Sequence, residues 1–461
     1  MSTPLTLIDF YKADHRSQYP EGTTTVFSNW TPRGSRVEGI DRVVLFGLQY
    51  FVKEYLIDRW NRDFFNRPKK KVVAAYARRM KHAGIDIEVD HIEALHDLGY
   101  LPIEIKALPE GSAVPLGVPM FSATIARKYR QILEYWCEKT GGDTDFVDFQ
   151  GHDFSYRGMY GTEAAMLSGA GHLLNFCGTD TVPAIDFVED YYDANCEEEM
   201  VGGAVPATEH SVMCMGTKEN EVETFRRLIT ELYADGVVSI VADTWDYWKV
   251  WTEYLPQLKE AVLARDGTVT IRPDSGDPVK ILVGDPDAEP DSPAFKGSYE
   301  LAWEVFGGTV NERGYKVLDP HINLIYGDSI TLERCQAICE GVAAKGFVPV
   351  NIFGIGSFTY QYNTRDTFGF AMKATAGVVN GELREIFKDP ATDDGTKRSA
   401  RGLLAVSETA DGSFKLEQQS TWEHLDSCAF ETVFVDGQLM RDQSLAEIRE
   451  RIRATQVGAL C

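Results

Sequence analysis

Val269-Thr270-Ile271-Arg272-Pro273-Asp274-Ser275-Gly276-Asp277-Pro278 is the stretch that decides the fold. Three β-branched residues read as a short buried strand, and the Pro and Gly that follow stop it in a turn. A guanidinium and a carboxylate two residues apart at the end of an apolar strand are costly to desolvate without a use. In isolation they would be an ion pair closing a turn. The same plan of apolar strand, polar loop and helix recurs at five other places, however.

Working outward, Leu173–Cys177 leads into Gly178-Thr179-Asp180-Thr181, with a helix expected over Val182–Tyr192. Ala204–Ala207 leads into Thr208-Glu209-His210-Ser211, and Val237–Val241 into Ala242-Asp243-Thr244 and a long helix over Trp245–Arg265. Ile322–Tyr326 leads into Gly327-Asp328-Ser329 and a helix over Thr331–Lys345, and Val350–Phe353 into Gly354-Ile355-Gly356-Ser357. Strands alternating with helices of this length mean parallel βαβ units. Polar residues gathered at the strand C-termini are what a β/α barrel or open α/β sheet needs at its ligand face. A barrel is favoured, because no Gly-x-Gly-x-x-Gly joins a first strand to a helix. The expected fold is therefore α/β, an irregular β/α barrel over residues 151–370.

A mixed, β-rich lobe is expected over 1–150, with a helix at 42–66 and hairpins at 99–127. A strand-rich segment is expected over 371–461. The Asp-, Pro- and Gly-rich stretch 281–317 reads as a surface insertion. A length of 461 residues suits two or three such lobes.

Hydrophobic residues make up 44% and charged residues 25%, as in soluble globular proteins. A net charge of −24 argues against a surface that wraps nucleic acid or lies on anionic lipid, while leaving room for a local cationic pocket. No apolar run reaches the roughly 18–20 residues needed to span a bilayer. The N-terminus has no secretory pattern, and the eight cysteines form no C-x-x-C pair. Reduced thiols in a cytoplasmic protein are the expectation.

The loops collect Asp180, Glu209, His210, Asp243, Arg272, Asp274 and Asp328. A small-residue turn from Gly354 to Ser357, followed by Arg365, Lys373, Lys388 and Lys397, suggests a phosphate cradle. Carboxylates here could hold sugar hydroxyls, Mg²⁺ or both.

The motifs Asp9-Phe10-Tyr11-Lys12, His152-Asp153-Phe154-Ser155-Tyr156-Arg157-Gly158, Gly178-Thr179-Asp180-Thr181 and Ala207-Thr208-Glu209-His210-Ser211 occur in this order. They are followed by Ile271–Gly276, Gly327-Asp328, Thr364-Arg365-Asp366 and Phe387-Lys388-Asp389-Pro390. Together, nearly end to end, the chain resembles the nicotinamide phosphoribosyltransferases of the type II phosphoribosyltransferase family. The resemblance implies an irregular barrel in a homodimer with shared active sites. It implies transfer of phosphoribosyl from phosphoribosyl pyrophosphate to nicotinamide for NAD salvage, with Mg²⁺ and ATP as cofactors.

By the same resemblance, Phe154 and Tyr11 of a second copy would sandwich the pyridine ring, with Arg157 and Asp180 in the base and phosphate region. Arg272 and Asp274 would hold the ribose and its phosphates. Gly327, Asp328, Gly356 and Ser357 would take the 5′-phosphate end, and Arg33, Arg365, Lys388 and Lys397 the pyrophosphate. His210 would be phosphorylated by ATP, with Glu209 and Asp243 orienting it. The family's phosphate turn has adjacent glycines where this chain has Gly356-Ser357.

Nicotinate phosphoribosyltransferase, which shares the barrel and the donor, is the nearest alternative. A carboxylate at Asp180 accepts from an amide NH₂ but repels nicotinate by about 4 kcal/mol at 4 Å and an effective dielectric near 20. That is roughly a thousandfold in affinity. A non-enzymatic binding protein on the same fold is disfavoured by the full set of Arg272, Asp274 and His210. A barrel aldolase needs a Schiff-base lysine that none of these strand ends supplies.

Overall fold

Six parallel strands build the part of the molecule that matters for function. They are β1 (Gly151–Asp153), β2 (Gly178–Thr179), β3 (Val238–Val241), β4 (Val269–Arg272), β5 (Ile322–Tyr326) and β6 (Ile352–Ile355), in the order β2-β1-β6-β5-β4-β3. The computed structural model describes residues 3–8, 13, 15–83, 88–116, 124–361, 367–387 and 400–454. β4 lies between β3 and β5, with Ile271 opposite Ile240 on one side and Leu324 on the other. All of these side chains are buried, as a strand covered on both faces requires.

The two edges of this sheet are joined by residues 203–208. Gly203 bridges to Gly178 of β2, and Ala207 bridges to Ser239 of β3, both parallel. Pro206 has no N–H to give, so this segment makes isolated bridges rather than the strand expected at Ala204–Ala207. The sheet thus curls into a ring with one irregular wall, which is the irregular barrel.

Three local readings of the sequence change here. Leu173–Cys177 is not a strand: Thr162–Leu173 is a helix, and Leu174 and Phe176 continue its last turn through bonds to Ala170 O and His172 O. A short buried apolar run cannot be told from a buried helix end by periodicity. The stretch 281–317 is not a surface excursion but the crossover between β4 and β5. Its helical stretch Pro293–Phe306, capped by Ser292 and broken at Gly297 (φ +77°), buries Tyr299, Leu301, Ala302 and Phe306. The Tyr299 hydroxyl accepts from Val350 N and Asn351 N at 2.9 Å each, tying this helix to the start of β6. Finally, Thr124–Thr140 forms a helix that belongs to the barrel unit. Tyr129 donates to Ile330 O (3.0 Å) and Trp136 to Gln336 Oε1 (3.2 Å). This helix thus groups with the barrel, whose unit begins at Thr124.

The barrel unit comprises residues 124–190 and 194–363, and the second unit comprises 1–123, 191–193 and 364–456. In the second unit the two ends of the chain pair strand to strand. Thr23–Thr31 runs antiparallel to Ala371–Val379, and Glu104–Ala107 runs antiparallel to Glu431–Val435. Among the described residues of 99–127, Ala113–Pro115 pairs with Arg42–Val44 and Glu104–Ala107 with Glu431–Val435, not with each other as in the expected hairpins. The helix expected from 42 begins only at Leu48, after Gly47 at φ +97°, and runs through π-type turns to Phe65. Leu48, Val52, Leu101, Val433 and Phe434 form one cluster of this unit's core. Among the described residues, no helix is long and apolar enough to cross a membrane.

Candidate active site

Each strand of the barrel delivers its polar residues at the C-terminal edge, where the chain leaves a hydrogen-bonded ladder and side chains become free to turn inward. β3 ends at Asp243, the 203–208 segment at Glu209-His210, and β4 at Arg272-Pro273-Asp274. These converge.

Asp243 is the centre of the group. Its Oδ1 lies 3.1 Å from His210 Nε2, and its Oδ2 accepts from Asp274 N (3.0 Å) and Ser275 Oγ (2.6 Å). The Asp243 side chain is 6% exposed and that of His210 is 48% exposed. A carboxylate only accepts, so the imidazole nitrogen facing it carries the proton and the other keeps its lone pair. A buried carboxylate thus holds a half-exposed imidazole in one tautomer, ready to act as a nucleophile. Glu209 is engaged elsewhere, taking the Ser211 hydroxyl.

Arg272 donates from Nη2 to Thr208 O at 2.9 Å, and its Nε stands 3.2 Å from Asp274 Oδ1. That Nε has no hydrogen-bond partner, so the pair is close in charge but poorly aligned and leaves a donor to spare. Burial raises the Asp274 pKa; Asp243 and Asp328 add to the rise, while Arg272 and His210 oppose it. The group is a charged set with hydrogen-bonding capacity in reserve.

A second group forms at β1 and β2. Phe154 follows β1 with its ring over glycine backbone: a Cβ at Gly354 would fall on the ring, and one at Gly327 would come within 2.9 Å of it. Only glycine permits that approach. Two residues earlier on the same face of the chain, His152 tilts against the Phe154 ring at 4.8 Å between centroids. Its Nε2 lies 3.0 Å from Asp180 Oδ1, and Asp180 N donates to Asp153 O at 2.9 Å. His152 is the residue that reading the sequence passed over. It stood inside a quoted motif, and its spacing of two from Phe154 was the signal.

The third group is the turn after β6. A Cβ at Gly356 would meet open space, so the backbone there is approachable, and a Cβ at Gly158 would fall on the Ser357 hydroxyl. Gly158 therefore leaves room for the serine that replaces a second glycine. Asp328 is exposed at the end of β5 and accepts from Ser329 Oγ at 2.8 Å. Arg157 is exposed in the turn after Phe154. Arg33, in the other unit, donates from Nε to Gly369 O at 2.8 Å. Tyr11, Arg365, Lys388 and Lys397 lie outside the described residues. Among the described residues, no three His, Cys, Asp or Glu side chains form a metal cage.

Residues 149–428 match the model of the nicotinate phosphoribosyltransferase (NAPRTase) family, and residues 4–105 match the nicotinamide phosphoribosyltransferase N-terminal domain. The chain belongs to this family. It is 52% identical to the nicotinamide phosphoribosyltransferase of Acinetobacter baylyi, over 97% of each chain. It is 32% identical to that of Xanthomonas campestris pv. campestris, over 97% of this chain and 98% of the relative. The crystal structure of nicotinate-nucleotide pyrophosphorylase from Pyrococcus furiosus shares the fold, with a TM-score of 0.55 at 12% identity over 98% of this chain and 94% of that one.

Proposed function

We propose that this family member is a nicotinamide phosphoribosyltransferase, a pentosyltransferase that makes nicotinamide mononucleotide and pyrophosphate from phosphoribosyl pyrophosphate in NAD salvage. The observation that carries the reading is His152, whose ring tilts against that of Phe154 and whose Nε2 lies 3.0 Å from Asp180 Oδ1. A flat aromatic face suits a pyridine ring, and a carboxylate joined to that face through His152 accepts from the carboxamide NH₂ but repels a substrate carboxylate. Nicotinate is the disfavoured base on that ground.

In this reading the lone pair of the pyridine nitrogen forms the new bond to the anomeric carbon, and the bond to the pyrophosphate oxygen breaks. Positive charge gathers on the ribose as pyrophosphate leaves. Arg272 and Asp274 hold the ribose and its phosphates, and Gly327, Asp328, Gly356 and Ser357 take the 5′-phosphate. Arg157, Arg33, Arg365, Lys388 and Lys397 are assigned to the phosphate and pyrophosphate groups, and Tyr11 of a second copy to the far face of the base. Holding the reactants in place and matching charge supply the rate.

Asp328 and Asp274, carboxylates at adjacent strand ends, would hold Mg²⁺, which would neutralise charge on the pyrophosphate as it leaves. His210, held by Asp243, is assigned as acceptor of the γ-phosphoryl group of ATP, which couples hydrolysis to synthesis. A homodimer is part of the proposal: Tyr160, in the loop after β1, and Met215, at the end of the helix His210–Met215, are 93% and 85% exposed, apolar surface that a second copy would cover. Free cysteines throughout the described residues suit a cytoplasmic setting.

The test is incubation of the purified chain with phosphoribosyl pyrophosphate, Mg²⁺ and either nicotinamide or nicotinate, with and without ATP, followed by chromatography of the mononucleotides. Nicotinamide mononucleotide is the expected product, in greater yield with ATP. Product from nicotinate alone would overturn the reading.

A further inference from the structure

The helix Thr162–Leu173 carries a histidine that the chemistry above leaves unused. His172 is fully buried, and its two ring nitrogens meet two different segments. Nε2 lies 2.8 Å from Gly178 O, and Nδ1 lies 2.5 Å from the Tyr360 hydroxyl. A carbonyl oxygen only accepts, so Nε2 carries the proton, Nδ1 accepts, and Tyr360 donates. Burial pushes the His172 pKa down to about 4, against the pull of the Asp153 charge, so the ring is neutral near pH 7 and has one proton to give.

The two segments are not arbitrary. Gly178 is the first residue of β2, whose end leads directly into Asp180. Tyr360 sits in the short helix Ser357–Gln361, directly after Gly356. That helix is also tied to the loop after β5, because Thr359 Oγ1 donates to Ile330 O at 2.8 Å, two residues past Asp328. If the helix shifts alone, Nδ1 is left buried without a donor. If the end of β2 shifts alone, the Nε2 proton loses Gly178 O, the stronger of the two backbone groups the ring meets, the other being at Gly151. Either loss is disfavoured in a dry interior, so the segments move together.

We propose that His172 is a positioning residue that couples the two halves of the site, transmitting occupation of the phosphate turn through Tyr360 to the loop that recognises the base. The proposal rests on the assignment of those two segments under Proposed function. Coupling of this kind is reciprocal.

The test is calorimetric titration of the full chain with nicotinamide, with and without saturating ribose 5-phosphate, and the reverse. In the wild type each ligand is expected to tighten the other by the same factor, about fivefold or more. Tyr360→Phe removes the donor to Nδ1 and keeps the ring; the factor is expected to fall to about one, while each ligand alone binds within about threefold of wild type. His172→Gln, which keeps one N–H and one acceptor, is expected to retain more of the factor than His172→Leu. A lower melting temperature with an unchanged factor in Tyr360→Phe would make the pair merely structural and overturn the proposal. So would a wild-type factor of one with both ligands bound, which leaves the functional reading standing. Failure of the wild type to bind either ligand would bring down both.

Discussion

The molecule buries carboxylates in two regions and treats them in opposite ways. In the unit built from the chain ends, Glu110 is almost wholly buried, and its oxygens accept from Gly47 N (2.9 Å), Gln49 N (2.6 Å) and the Tyr192 hydroxyl (3.1 Å). The surrounding amides close on themselves: Gln443 Oε1 accepts from Glu110 N, and Gln49 Oε1 accepts from Gln443 N. At the barrel's strand ends, Asp153 Oδ2, Ser155 Oγ, Thr181 Oγ1 and Arg272 Nε are buried with no partner. A saturated polar network specifies a fold, because each valence it holds would be costly to free. An unsaturated one at a strand end costs stability and keeps valences for something that arrives later.

That contrast can be broken by removing one member from each side. Arg272→Ala is expected to lower kcat/KM by roughly 10²–10³-fold while leaving the denaturation midpoint near wild type. A large loss of stability with little change in rate would erase the distinction. Glu110→Ala is expected to do the reverse. It strands Gly47 N, Gln49 N and the Tyr192 hydroxyl, and should cost about 3 kcal/mol in urea denaturation with kcat/KM of the folded protein unchanged.

Two smaller effects sharpen the strand-end side. Asp180→Asn removes the charge that repels nicotinate, and the nicotinamide-to-nicotinate ratio of kcat/KM is expected to drop by about tenfold or more. An unmoved ratio would take Asp180 out of base selection. The pH profile is the finest probe. Because burial raises the Asp274 pKa, the carboxylate is lost as pH falls through a value above the ordinary Asp range, and the acid limb of kcat/KM should lie there. Asp328 adds to that rise, so Asp328→Asn should move the limb to lower pH; movement upward would refute the electrostatic account.

Legibility in the sequence followed the same divide. β5 falls at its expected bounds, and β3 and β4 lie within a residue of theirs, because their runs are mainly apolar and almost wholly buried. β1 is three residues of Gly-His-Asp with no apolar pattern, and it was visible only as a motif. The crossover helix 293–306 was hidden by the Asp- and Pro-rich run before it, which ends in the Ser292 cap with Pro293 at the first helical position. The contact between Asp243 and His210 could be anticipated because each follows a short apolar run on the same edge of the sheet. The pairing of 104–107 with 431–435 could not, since nothing local encodes a partner more than 300 residues away.

The seam that closes the barrel has a mechanical consequence. Four backbone bonds hold it: Thr179 N to Gly203 O, Gly203 N to Cys177 O, Thr208 N to Ser239 O, and Ser239 N to Pro206 O. The rest of the ring is continuous ladder. In hydrogen–deuterium exchange the amides of 203–208 should therefore open ahead of those in 238–241 and 269–272, as a hatch whose free edge carries His210. Opening there would carry the His210 imidazole away from Asp243 while the staves of the barrel stay closed.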